Sequence, residues 1–153
     1  MKSIRTLSMF LLIGILAFSL TACGSSEYAD AANTALSNFN SAGQTISEQL
    51  FMINDDNSII SDPAWKESTT SALDAFESAG KAFASLPEAP EEFKAANDIM
   101  TELAFETNSF VDIARNMLET EDLSQIDAIN EQMSVVNDLV TQVDAAINTA
   151  NGE

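Results

Sequence analysis

An all-α fold, an up-down-up-down four-helix bundle, is what the 153-residue sequence predicts, and three observations carry that expectation. Four segments each place apolar residues at alternating spacings of four and three, the repeat that puts side chains on one stripe of a helix. Asp and Pro residues mark the intervals between them with helix-start and helix-stop chemistry. Those intervals are short, which makes consecutive helices antiparallel neighbours.

The first helix is expected over about 27 to 53, where Tyr28, Ala32, Ala35, Phe39, Ala42, Ile46 and Ile53 share the stripe and Gln49 interrupts it. The second, about 63 to 86, carries Trp65, Thr69, Ala72, Phe76, Ala79, Phe83 and Leu86. Asp62 before Pro63 starts it, because Asp caps the first N–H groups and Pro fits the first turn. Pro87 and Pro90 end it. The third, about 91 to 118, places Phe93, Ala96, Met100, Leu103, Thr107, Phe110, Ala114 and Met117 on one face. Glu91 and Glu92 meet its positive end favourably. The fourth, about 123 to 149, carries Ile126, Ile129, Met133, Val136, Val140, Val143 and Ile147, with Asp122 or Ser124 as its cap and Asp127 completing a capping box. Helix one has the most Ala, Ser and Asn on its stripe, so a three-helix coiled coil with a detached first helix is the alternative architecture.

Composition removes much chemistry. The chain has no histidine, which excludes an imidazole base, Ser-His and Cys-His nucleophile pairs, and His-ligated metals. It holds 24 acidic and 6 basic side chains. Such a surface repels nucleic-acid phosphates, so no nucleic-acid partner is expected.

The first residues add a location. Lys2 and Arg5 precede the apolar run Met9 to Leu20, which is too short for a comfortable transmembrane helix. The run ends in Leu20-Thr21-Ala22-Cys23, and these residues resemble the lipobox of bacterial lipoproteins: Leu, a small or hydroxyl residue, Ala or Gly, then the Cys that is modified. The resemblance covers residues 1 to 23 and implies that Cys23 receives diacylglycerol through sulfur, that the signal peptide is cut before it, and that the new amino terminus is acylated, for example with palmitate. The organisation it implies is a signal peptide over 1–22, a lipidated Cys and short linker over 23–26, and an acidic bundle over 27–153. After cleavage 4 basic side chains, Lys66, Lys81, Lys94 and Arg115, face all 24 acids, a net charge of −20. Membrane attachment then depends on lipid chains, not on basic residues. Gly24 lacks the Asp that marks inner-membrane retention in enterobacterial lipoproteins, so either the cell membrane or an outer membrane is allowed. Beyond the lipobox the chain resembles small helical lipoproteins of unknown function. The major outer-membrane lipoprotein ends in a Lys for covalent attachment, and this chain ends Asn151-Gly152-Glu153.

Catalytic and metal motifs fail one by one, and the expectation is a non-enzyme without a cofactor. A di-iron bundle needs Glu-x-x-His pairs. Asp55-Asp56-Asn57-Ser58 begins like a calcium loop, but Ile59 and Ile60 occupy positions that need a ligand and a glycine. Of the mature methionines Met52, Met100, Met117 and Met133, three sit on apolar stripes as core residues. Two features remain. Phe51 and Phe105 fall on outward heptad positions, where an aromatic is a candidate partner contact unless Ile59 and Ile60 cover Phe51. The topology also brings Asp55, Asp56, Asp62, Glu119, Glu121 and Asp122 to the end away from the membrane, a tip without a basic residue that is a candidate for a divalent cation or a cationic partner. Three roles follow: an interaction or accessory module of the cell envelope, which is favoured; an extracytoplasmic protein for a small ligand or divalent cation, using the tip or a cavity at Thr69 and Thr107; and an acidic hydrated coat.

Overall fold

The computed structural model describes residues 26–152, and all of its regular elements there are helical. Four long helices run in order: α1 Ser26–Asp55, α2 Pro63–Phe83, α3 Lys94–Thr120 and α4 Ile126–Asn151. Short 3₁₀ segments occupy the connections at Asn57–Ser61, Glu91–Phe93 and Leu123–Gln125. At 1.5 Å per residue α1 is about 45 Å long, so the two ends of the bundle are chemically separate places.

The predicted stripes form the core. From Tyr28 to Ile147 nearly every stripe residue is buried, including the bulky Phe39, Phe76, Phe83, Phe93 and Phe110. The interior is wider than a two-position seam, however. A third row, one residue after the second stripe position, is also buried: Ala29, Leu36 and Leu50 on α1, Leu73 and Gly80 on α2, Ala104, Val111 and Leu118 on α3. Three positions per heptad is the pattern of a globular bundle, which must close around a thicker core than a coiled coil.

Helix one is not detached. Consecutive helices pack along their lengths, α1 on α2, α2 on α3 and α3 on α4. Phe39 of α1 lies 4.8 Å from the Phe76 ring and 5.3 Å from the Phe83 ring, both on α2. The three-helix alternative therefore fails, because α1 supplies an aromatic that the core of α2 needs.

Boundaries moved where local chemistry outweighs periodicity. The second helix stops at Phe83, short of Leu86, which lies half-buried in the Pro-bounded connection to α3. Glu91 and Glu92 belong to a 3₁₀ turn that precedes α3. Asp122 caps the 3₁₀ turn through Ser124 N–H, and Gln125, at the start of α4, makes no side-chain cap. Glu121 ends α3 with a φ of 54°, a left-handed conformation that usually falls to Gly.

One seam differs from the others. Backbone approaches between α1 and α4 are sparse compared with those between consecutive helices. The flank of α1 turned away from α2 carries half-buried Asn33, Asn40, Ser47 and Asn54, and the flank of α4 turned away from α3 carries half-buried Asn130, Asn137, Asp144 and Asn151, each set at seven-residue spacing. The side-chain amide oxygen of Asn33, Oδ1, is buried without a hydrogen-bond partner.

Candidate functional site

Of the sequence-predicted features, the tip is the one the fold assembles. The α1–α2 and α3–α4 connections lie at the same end, opposite to the start of α1. Each acid there has a definite place. Asp56 caps the 3₁₀ turn, accepting from Ser58 N–H at 2.9 Å and from its hydroxyl at 2.7 Å. The Ser58 hydroxyl and N–H hold the Asp56 carboxyl below the usual carboxylate range. Asp62 caps α2, accepting from Trp65 N–H at 2.8 Å. Asp122 caps the turn before α4, accepting from Ser124 N–H at 3.0 Å. Asp55 is the exposed last residue of α1, and Glu119 is exposed in the last turn of α3.

Glu121 corrects the expectation of a tip without a basic residue. Lys66 of α2 donates to its Oε1 at 2.5 Å, and the Ser61 hydroxyl donates to its Oε2 at 2.7 Å. The Lys66 ammonium, followed by Ser61, holds the Glu121 carboxyl below its ordinary value. The pair clasps the end of α3 to the start of α2 and accounts for a non-glycine residue in the left-handed region. Sequence reading missed it because Lys66 and Glu121 stand 55 positions apart and no local pattern joins them. Among the described residues, no three acids gather in a group that could hold a metal ion. The tip acids are therefore spread over caps and a clasp instead of converging on one point.

An open groove of about 720 Å³ lies beside these caps, lined by residues from α1, the 3₁₀ turn and α2. Its apolar residues are Met52, Ile59, Pro63 and Trp65, and its acids are Asp56 and Asp62. Trp65 is buried, and its indole N–H donates to the Gln49 carbonyl at 3.1 Å. The Gln49 side chain accepts from the hydroxyl of buried Thr69 at 3.5 Å, which explains the polar interruption in the first stripe. Met52 is 42% exposed and its neighbour Phe51 is 50% exposed. Ile60 turns into the core and Ile59 lines the groove, and the two leave Phe51 open.

Phe105 is more exposed still, at 67%, but stands on the outer face of α3. Helices α1 and α3 are diagonal partners, so their outward faces point in opposite directions and Phe51 and Phe105 do not share a surface. The interior offers no cavity at Thr107, whose hydroxyl donates to the Leu103 carbonyl at 2.7 Å. Its methyl carbon fills the space beside Gly80 so tightly that a Cβ on Gly80 would lie 3.0 Å away. Cys23 and the lipobox lie outside the described residues.

Among the described residues, no helix is long and apolar enough to cross a membrane. Comparison with known protein families, with curated proteins and with solved structures finds no match for the chain.

Proposed function

We propose that the chain is a lipid-anchored, non-enzymatic helical bundle of the bacterial cell envelope that acts as an interaction or accessory module. The observations that support this reading are the Leu20-Thr21-Ala22-Cys23 sequence and the up-down order of the helices, which sets the α1–α2 and α3–α4 connections at the end opposite to the first described residues of α1. A diacylglycerol on Cys23 would hold the start of α1 against the bilayer and carry the groove, Phe51 and Met52 to the far end. The acyl chains are needed, because each buried CH₂ contributes about 0.8 kcal/mol and an acidic surface adds no attraction to anionic lipid. The absence of histidine and the use of tip acids as caps favour a binding role over catalysis.

The test is metabolic labelling with a clickable palmitate analogue, followed by membrane fractionation. The parent chain should carry label and sediment with membranes, while Cys23→Ser should lose the label and appear unprocessed or released. A Cys23→Ser protein that is still processed and membrane-bound would rule out the anchor.

A further inference from the structure

We propose that the tip groove is a docking site for a cationic peptide segment of another envelope protein, one that seats an aliphatic or aromatic side chain against Met52, Ile59 and Trp65. The inference rests on the interaction-module reading and names its partner class. Its starting point is exposure. Two of the four large apolar side chains exposed among the described residues, Phe51 and Met52, are adjacent in sequence near the tip, and Met52 lines the groove that Trp65 also lines. The walls are preorganised, since Asp56 fixes the 3₁₀ turn, Asp62 fixes the start of α2, and the Trp65–Gln49 bond ties α2 to α1. Binding to fixed walls avoids the ordering cost that a mobile loop would impose.

Charge selects the occupant. Asp56 and Asp62 line the groove, while the nearby ammonium of Lys66 is engaged by Glu121. A second copy of this chain would bring another net charge of −18 to the contact and be repelled, and an anionic ligand meets the same field. A purely cationic segment gains only screened attraction at exposed carboxylates, and a purely apolar one leaves them unanswered. A segment that alternates Lys or Arg with Leu or Phe satisfies both chemistries, the apolar group in the groove and the cations on its acidic rim.

The lone Trp of the chain lies in this groove, so its fluorescence reports the site directly. Full-length protein in phosphatidylcholine nanodiscs is titrated with a short Trp-free peptide of alternating Lys and Leu, with an oligolysine of equal charge, and with a Ser-Leu peptide of equal length. The Lys-Leu peptide should shift the Trp65 emission saturably and bind at least about tenfold more tightly than either control. Phe51→Ser with Met52→Ser should weaken it about tenfold with the helical spectrum unchanged, while Phe105→Ser should bind like the parent. The inference falls if no saturable shift occurs, if oligolysine binds as tightly as the Lys-Leu peptide, or if the groove variants bind like the parent. It also falls if the parent self-associates and Met52→Ser abolishes that, which would make a second copy the occupant. Because the titration reads the groove whether or not Cys23 is acylated, a failed palmitate experiment removes the anchor and the envelope setting of the partner, and a failed titration removes the groove alone.

Discussion

At the end where α1 begins, Tyr28 and Phe93 meet with ring centroids 6.1 Å apart, Phe83 is buried beneath the Pro-bounded connection, and half-buried Leu86 and Ala89 pack onto the same cluster. At the opposite end the connections are held by carboxylates, Asp56, Asp62 and Asp122 as caps and Glu121 in its clasp with Lys66, and Phe51 and Met52 stay in water. The first end is closed by burial, the second by burial of Ile60 and Trp65 together with carboxylate caps on backbone N–H groups. Burial consumes apolar surface, whereas capping leaves it available: the groove beside the caps has about 720 Å³, and the one at the first end, between α1 and Leu86, about 420 Å³. The difference also predicts where stability resides.

Removing an aromatic from the closed end should have the largest effect. Phe93→Ala should cost about 3 to 5 kcal/mol in chemical denaturation, from lost transfer energy together with the cavity left behind. A cost below about 1 kcal/mol would mean that this end is as loosely held as the other.

The second test uses pH. Burial pushes the Tyr28 hydroxyl up to about 12, so the folded state favours the neutral phenol more than the unfolded chain does. Stability from this group is complete below the ordinary value near 10 and is lost as pH rises through 10 towards 12. Tyr28→Phe should remove up to about 2 kcal/mol of that alkaline loss, read as the difference between the two melting curves. Lysine ion pairs also weaken in this range, but they are common to both proteins and cancel. Identical alkaline curves would show that Tyr28 is not sealed off by Phe93.

At the capped end Asp62→Ala should cost only about 1 kcal/mol, the usual value of an N-cap. Smaller still, Met52→Ser should change stability by less than about 0.5 kcal/mol, because an exposed side chain has little burial to lose. A large loss at Met52 would mean that the groove is filled in solution.

The core was legible in the sequence and the tip only in part. Stripe residues such as Phe76, Phe110 and Val143 follow from a helical period, because burial repeats with the turn of the helix. The third buried row was not read, since Ala104 and Gly80 are too small to stand out as apolar signals and Leu36, Leu50, Leu73, Val111 and Leu118 fall outside a strict two-position heptad stripe. Asp62 as a cap was readable, because the cap and its N–H lie three residues apart. The Lys66–Glu121 clasp and the groove were not, as both join segments that meet only after α2 and α3 have packed. The Asn rows of α1 and α4 were visible as single residues, but their shared seam is a product of the fold.

The central claim is that one end of the bundle is anchored and the other stands free in water. Trp65, the single tryptophan, belongs to the capped end and can be asked directly. Full-length protein is reconstituted into vesicles whose lipids carry a doxyl quencher near the headgroup, and emission is compared with unlabelled vesicles. A bundle standing on Cys23 keeps Trp65 some 35 Å from the start of α1, judged from the rise along that helix to Gln49, which is about beyond the reach of contact quenching. Trp65 should therefore be as bright with doxyl lipid as without. Strong quenching would place the groove at the bilayer and contradict the account.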